Sequence, residues 1–246
     1  MEHVYLGQDT AIECWEKFAK EDPYTFILTS LRNADPQEFW QSGHRTVQQE
    51  LLPLVPARGI FPGIGMELGC GIGRLVFPLA AHFQEMVGVD IAAGMVQRAR
   101  SFARDNGIGN VSFSVITGPE DLLHRAGKYA GSIDFLYSLL VFQHIPELSM
   151  IEGYLHVISI LLGANGIAYL QFDTRPQNLA YRLKSWLPDF LLPRFWRRGI
   201  RRIRRFPAEL EMGIYNAGLE IIGELSPFTA YHRYILRKSP GLPSSS

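Results

Sequence analysis

The sequence predicts an α/β protein: a doubly wound, mostly parallel seven-stranded sheet with an antiparallel C-terminal edge strand, a helical N-terminal cap and an inserted helical lid. From about residue 60 onward, short apolar β-prone runs alternate with longer amphipathic segments, which is typical of a parallel sheet flanked by helices. The first five runs are apolar on both faces, as buried parallel strands are. Only a few residues around Pro227 separate the last two runs, so these are expected to pair antiparallel.

Strands are predicted where the apolar runs end in turn-forming residues. In chain order they are Gly65–Leu68, Met86–Asp90, Val111–Thr117, Ile133–Leu139, Gly166–Asp173, Leu219–Leu225 and Tyr231–Arg237. Apolar residues at helical spacing predict the crossover helices between them. These helices are Arg74–Phe83, Ala92–Asn106 and Glu147–Leu162, followed by one that begins at Pro207 and ends before Gly218.

Two regions lie outside this alternation. Residues 1–58 combine aromatic anchors with prolines, which indicates a helical cap that precedes the main domain, residues 59–238. Residues 174–206 form an insertion where a short crossover would suffice, and loops this long after a strand are usually functional. The Pro- and Ser-rich residues 239–246 are predicted to be a flexible tail.

The composition narrows the compartment and the partners. The 24 basic and 24 acidic side chains balance, which argues against the global positive field that binds nucleic acid. Cys14 and Cys70 are too few for a disulfide scaffold or a cysteine-rich metal site, so no metal is predicted and a cytoplasmic location is expected. Charged residues near the N-terminus leave no room for the apolar segment of a secretory signal.

The segment Glu67–Gly73 has the strongest functional pattern. A buried strand runs into Gly69, Gly71 and Gly73 and then into a helix near Arg74. Glycines let the backbone approach a ligand closely, and a helix start presents unpaired amides, so an anionic or polar group is expected there. Asp90 ends the second strand, where a carboxylate can accept hydrogen bonds from a ribose diol. Together they predict a nucleoside-containing ligand at the carboxyl edge of the sheet.

With Ser132–Ser138 leading to His144–Ile145–Pro146, these motifs resemble the class I S-adenosylmethionine-dependent methyltransferases over roughly residues 60–238. The resemblance implies that the glycines hold the methionine moiety above Glu67, that Asp90 binds the ribose, and that Ile91 and Met95 contact adenine. Either Glu120 or Asp121 contacts the adenine amino group, or that contact is made by backbone alone. The residues expected to hold S-adenosyl-L-methionine are Glu67, Gly69, Cys70, Gly71, Gly73, Arg74, Asp90, Ile91, Met95, Glu120, Asp121 and Leu139.

Two residues are candidates for catalysis. His144 follows the fourth strand, and imidazole titrates near neutral pH, so it is a candidate general base; the alternative is that it anchors its loop. Asp173 ends the fifth strand at the same edge, where it meets the acceptor or instead pairs with Arg175. The sequence has no Asn/Asp-Pro-Pro-aromatic motif, which disfavours exocyclic or amide nitrogens, and no Pro-Cys nucleophile for pyrimidine carbon-5.

Residues 186–205 are strongly basic, with seven arginines and one acid, Asp189. Their spacing allows an amphipathic helix from Pro193 that packs as a lid, binds an acidic or phosphorylated acceptor or RNA backbone, or lies on an anionic membrane surface. The sequence therefore predicts a methyltransferase that acts on an oxygen or nitrogen of a small-molecule acceptor. The alternatives are RNA or a lipid-linked phosphorylated acceptor reached through the arginines, and a non-catalytic membrane-surface protein.

Overall fold

Seven strands form a single sheet in the computed structural model, which describes residues 8–27, 35–55, 63–187, 191 and 201–240. The strands are β1 (Ile64–Leu68), β2 (Glu85–Asp90), β3 (Val111–Val115), β4 (Ile133–Ser138), β5 (Leu162–Phe172), β6 (Leu219–Leu225) and β7 (His232–Lys238). Their order is β3-β2-β1-β4-β5-β7-β6. Strands β1 to β5 are parallel, and β7 pairs antiparallel with both β5 and β6. The predicted architecture is confirmed, with β6 at the outer edge.

Nine helices are present in the described ranges. They are α1 (Gln8–Glu21), α2 (Pro23–Ile27), α3 (Pro36–Thr46), α4 (Val76–Ala80), α5 (Ala93–Asp105), α6 (Pro119–Ala126), α7 (Leu148–Leu161), α8 (Leu179–Trp186) and α9 (Pro207–Asn216). The π-helical turn Val47–Leu51 continues α3. The predicted helix at Arg74–Phe83 is shorter than expected. Pro78 has no amide hydrogen and fits only the first turn, so the helix begins at Val76.

The sheet is covered on both faces. One core packs α6, α7 and α9 against the sheet through side chains such as Leu122, Ile151 and Leu210. The opposite core packs α4, α5 and the turn after α3 through side chains such as Leu79 and Ala99. This is the doubly wound arrangement that the alternation of elements predicts. No helix in the described part of the chain has the length and apolar character needed to cross a bilayer.

The N-terminal helices pack at the carboxyl edge of the sheet. Phe18 of α1 and Phe39 of α3 share a small core with Ile72 and Met95. The approach of α3 is close, since a Cβ atom at Gly43 would lie 2.3 Å from the carbonyl oxygen of Arg74. Parts of the predicted cap and of the tail, residues 1–7, 28–34, 56–58 and 241–246, lie outside the described residues, and the domain division stays a prediction.

Glu16 ties α1 to the start of α5. Its two carboxylate oxygens accept from the amide of Gly94, at 3.1 and 3.2 Å. The N-cap residue of α5, Ala92, has no side-chain oxygen to satisfy the first amides of this helix. Glu16 therefore supplies the missing cap from a different helix.

Glu16→Ala is expected to lower the free energy of unfolding by about 1 kcal/mol, the usual cost of losing a helix cap. The measurement is urea-induced unfolding followed by circular dichroism. Glu13→Ala is the control, because Glu13 is exposed on the same helix. Equal stability of the two variants would contradict the capping role.

Candidate active site

The backbone of the glycine loop, residues 69–73, is hydrogen-bonded to the neighbouring strand β2. The amides of Gly69 and Cys70 donate to the carbonyl oxygen of Val89 at 2.7 and 3.0 Å, and the amide of Gly73 donates to Cys70 at 2.9 Å. The amide of Gly71 donates to a carboxylate oxygen of Asp90 at 2.7 Å. These four loop amides are therefore paired within the protein.

The glycines are required by conformation and by space. Gly69, Gly71 and Gly73 have φ values of 80, 53 and 89°, in the left-handed region that side chains disfavour. A Cβ atom at Gly69 would lie 2.2 Å from Cγ2 of Val141, in the loop that follows β4. A Cβ atom at Gly71 would lie 2.9 Å from Ile27 of α2. The loop is thus pressed between the cap and the β4–α7 loop.

Asp90 joins the ends of β1 and β2. One carboxylate oxygen accepts from Gly71 and the other accepts from the amide of Ala92 at 2.9 Å. Burial raises the pKa of Asp90, and the backbone hydrogen bonds partly counter this rise. A carboxylate has about four lone-pair sites, so two amides leave it acceptor capacity. Asp90 also lines a cavity beside the glycine loop, where it can accept hydrogen bonds from a diol.

A cavity lies between the glycine loop, the β4–α7 loop and the cap helices. The predicted site residues that line it are Glu67, Gly69, Cys70, Gly71, Arg74, Asp90, Ile91, Met95, Leu139 and His144. The sequence interpretation missed Trp15 of α1, Ile116 after β3, and Met150 and Tyr154 of α7. Of these four residues, Ile116 alone could have been predicted from the sequence to line the cavity, because it stands next to the end of a predicted strand. The other three depend on which face each helix presents.

Three predicted site residues lie outside the cavity lining because their carboxylates face other groups or solvent. Asp121 bonds Arg125 at 2.9 Å and the amide of Thr117 at 3.0 Å, and Glu120 is exposed. The structure does not bring either residue to the cavity lining, which leaves the other alternative, an adenine contact made by backbone alone. Asp173 is fully buried, and its carboxylate forms an ion pair with Arg175 at 2.6 Å. Of the two roles expected for Asp173, the structure therefore has the ion pair with Arg175 and not a contact with the acceptor.

Gly73 also lies outside the lining residues. A Cβ atom there would lie 2.5 Å from the ring of Phe77, which packs directly against the loop. Gly73 therefore allows Phe77 to pack against the loop and does not contact the cavity.

The β4–α7 loop forms the wall opposite the glycine loop. The hydroxyl of Ser138 donates to the carbonyl of Leu68 at 2.8 Å, which fixes the start of this loop to β1. Leu140 has a φ of 63°, which is a strained backbone conformation for a bulky side chain. Such a conformation is maintained only where the surrounding structure holds it in place. His144 ends a short 3₁₀ turn, and its ring meets Trp15 edge-on at a centroid distance of 5.8 Å.

Buried ionisable groups lie beneath the glycine loop. The hydroxyl of Tyr137 donates to Glu67 at 3.1 Å, and burial raises the pKa of Glu67 to about 8 despite the nearby Arg74. Burial also lowers the pKa of Arg74, whose guanidinium donates to Ser42 of α3 at 3.3 Å. Burial raises the pKa of the Cys70 thiol. Glu67 is therefore protonated at neutral pH, and Arg74 links the site to the cap.

The described arginines of the basic segment contact the protein itself. Arg204 donates to the carbonyl of Pro176 at 2.6 Å and lies over the ring of Tyr181, and Arg205 donates to the carbonyl of Ile145 at 2.9 Å. Arg202 lies over the ring of Tyr231. Residues 188–190 and 192–200 lie outside the described residues, and with them most of the predicted helix from Pro193. Its last part is wrong: residues 201–205 are not helical, and Arg204 forms a β-bridge with Asp173.

Comparisons with known proteins agree with this geometry. Residues 66–166 match the family model of a methyltransferase domain. The ubiquinone biosynthesis O-methyltransferase of Azorhizobium caulinodans is 31% identical over 170 residues, 67% of this chain and 63% of that protein. A 23S rRNA (uracil(1939)-C(5))-methyltransferase of Xylella fastidiosa is 48% identical over 50 residues, 20% of this chain and 11% of that protein. The chain thus spans less than two thirds of these curated relatives.

Solved structures share the fold at low identity. The magnesium protoporphyrin IX methyltransferase of Synechocystis PCC 6803 with bound SAM has a TM-score of 0.62 and 19% identity, covering 97% of this chain and 100% of that one. An S-adenosylmethionine-dependent methyltransferase from Clostridium acetobutylicum has a TM-score of 0.57 and 15% identity, covering 92% and 99%. The sheet order and the loop at its carboxyl edge define the class I, Rossmann-like methyltransferase fold. Residues 66–166 are therefore a methyltransferase domain with this fold.

Gly69→Ala is expected to weaken ligand binding in the cavity and to destabilise the fold. The left-handed φ costs about 1–2 kcal/mol for alanine, and the clash with Val141 adds to that cost. Gly107→Ala is the matched control, because Gly107 has a φ of 65° with nothing within 4 Å of the added Cβ atom. Urea unfolding of both variants separates the two effects, and equal losses would argue against close packing at Gly69.

The raised pKa of Glu67 predicts a pH-dependent stability. Between pH 4.5 and about 8 the folded protein keeps a proton on Glu67 that the unfolded chain loses, so stability falls as the pH rises. Relative to Glu67→Gln, wild type should lose roughly 1 kcal/mol per pH unit in this window. Urea unfolding at several pH values measures this difference. Glu152→Gln, at an exposed position, should follow wild type; a Glu67→Gln variant that does the same would contradict the assignment.

Proposed function

We propose that this protein is an enzyme that transfers a methyl group from S-adenosyl-L-methionine to an oxygen or nitrogen atom of a small-molecule acceptor. The observation that carries the proposal is the placement of the glycine loop and the Asp90 carboxylate in one cavity. Because the loop is built of glycines with no room for a Cβ atom, its backbone can contact the amino-acid end of the cofactor closely. The Asp90 carboxylate can accept hydrogen bonds from the hydroxyls of its sugar.

The residues that line the cavity fit the donor. Asp90 would accept from the ribose hydroxyls, and the apolar side chains of Ile91, Met95 and Ile116 would contact adenine. Bound S-adenosylmethionine supplies an electrophilic methyl group on a sulfonium. The chain's own contribution is then to align the acceptor with that methyl group and to exclude water.

The far wall supports a small acceptor. Trp15, Leu140 and Tyr154 surround the space beside the glycine loop and are largely apolar, which suits a compact organic molecule. The relative from Azorhizobium is named for an O-methylation in ubiquinone biosynthesis, and the Synechocystis structure is named for a porphyrin methyltransferase. Both names are consistent with a small-molecule acceptor.

The described residues give less support to the alternative acceptors. A uracil carbon-5 reaction uses a cysteine nucleophile, but the cavity cysteine, Cys70, is buried and its thiol has a raised pKa, the opposite of activation. Arg204 and Arg205 contact backbone carbonyls, so their hydrogen bonds do not point to a phosphate or a membrane surface. We therefore favour the small-molecule acceptor.

Calorimetric titration with S-adenosylhomocysteine tests the donor site. Asp90→Ala is expected to weaken binding by about 1–3 kcal/mol, because a charged acceptor is lost and the glycine loop is loosened. Asp90→Asn, which keeps one acceptor oxygen, should fall between this variant and wild type. Asp121→Ala is the control, since Asp121 pairs with Arg125 away from the cavity. No binding by the wild-type protein, or equal affinities of all four proteins, would overturn the proposal.

A further inference from the structure

A chain of side-chain amides runs from the C-terminal part of the sheet to His144. The amide nitrogen of Gln171 on β5 lies 3.5 Å from the carbonyl oxygen of Ala230 and 3.4 Å from Oε1 of Gln143. The amide nitrogen of Gln143 lies 3.1 Å from Nε2 of His144. Gln143 and Gln171 are each only 2% exposed, so their hydrogen bonds are made inside the protein.

The carbonyl of Ala230 sets the direction of every hydrogen bond in this chain. A backbone carbonyl can only accept, so Gln171 must turn its NH₂ group toward Ala230. The same NH₂ group donates to the oxygen of Gln143, and the NH₂ group of Gln143 therefore faces His144. An amide NH₂ can only donate, which makes Nε2 of His144 the acceptor. In a neutral imidazole the proton is then on Nδ1.

We propose that Gln143 is a positioning residue that holds His144 in the Nδ1–H tautomer, with the lone pair on Nε2 already engaged. With Nε2 engaged in this way, His144 does not serve through that nitrogen as the general base for which its place in the chain makes it a candidate. The part of the inference that concerns catalysis rests on the proposed methyl transfer, because His144 lines the cavity proposed to bind S-adenosylmethionine.

The surroundings of Gln143 hold it in place for this task. Its backbone carbonyl accepts from the amide of Ile203 at 2.7 Å, and the Trp15 ring packs against His144 from the cap. These contacts fix where the two side chains lie. The amide of Gln143 meets Nε2 of the ring, and a donor at that nitrogen places the proton of the neutral ring on Nδ1.

The other titratable side chains that line the cavity do not replace the base. Among the described residues these are Glu67, Cys70, Arg74, Asp90 and Tyr154. Burial raises the pKa values of Glu67, Cys70 and Tyr154, so each keeps its proton at neutral pH. Asp90 is bonded to two amides, and Arg74 is a donor. The acceptor class that suits this cavity is one whose reacting atom needs no protein base, such as a carboxylate, a phenolate or a neutral amine.

Nitrogen-15 NMR of the histidine rings tests the inference without cofactor or acceptor. The sample is the 246-residue chain at about pH 8, well above the usual imidazole pKa. The His144 ring is assigned by its loss in His144→Gln. The expected wild-type spectrum shows a protonated Nδ1 and an Nε2 that carries a lone pair. In Gln143→Glu the added carboxylate can only accept, so the proton is expected to move to Nε2. In Gln143→Met the donor is absent, and a mixture of tautomers is expected.

Gln97→Glu is the control for the added charge, because Gln97 is exposed on α5. It should leave the His144 signals unchanged. A wild-type ring protonated on Nε2 would overturn the inference, as would a folded Gln143→Glu variant with the wild-type pattern. If that variant does not fold, the wild-type spectrum decides. A failed titration with S-adenosylhomocysteine would refute the proposed function and leave the tautomer assignment standing, so the two failures are distinguishable.

Discussion

The carboxylate of Asp90 is the contact on which the rest of the site depends. It holds the amide of Gly71 with one oxygen and the amide of Ala92 with the other, so it joins the loop after β1 to the start of α5. The loop residues then keep left-handed conformations that place the backbone against Val141 and Ile27. A ligand that binds here meets a surface shaped before it arrives, which lowers the ordering cost of binding.

The cap belongs to the same construction. Arg74 follows the glycine loop directly, is buried, and donates to Ser42 of α3, while Glu16 of α1 caps α5 beside Asp90. Arg74 carries its charge beside Glu67, which keeps its proton, so the buried charge relies on the hydroxyls of the cap for hydrogen bonds. Removing one partner of a buried charge is costly, so the cap and the loop depend on each other energetically.

Local sequence patterns predicted the elements and the ligand loop well. All seven strands lie within a few residues of their expected positions. The first five could be recognised because parallel strands with both faces covered are continuous apolar runs. The glycine loop and Asp90 could also be predicted, because the turn that they form is determined by residues close together in the sequence. Asp173 directly follows β5 and Asp121 lies in the first turn of α6, but their carboxylates face arginines two and four residues away. Trp15 lies more than 100 residues from His144, and no local pattern reveals which helix face covers the cavity.

The C-terminal end of the insertion, residues 201–206, explains why local sequence patterns do not predict the acceptor side of the cavity. Ile203 donates to Gln143, Arg205 donates to the carbonyl of Ile145, and the amide of Arg205 donates to Asp173. The wall that carries His144 is therefore fixed by residues about 60 positions later in the chain. Asp173, although outside the cavity, anchors that segment through its carbonyl oxygen and holds Arg175 through its carboxylate. Changes at the described end of the insertion, residues 201–206, would thus reach the acceptor space by shifting the β4–α7 loop.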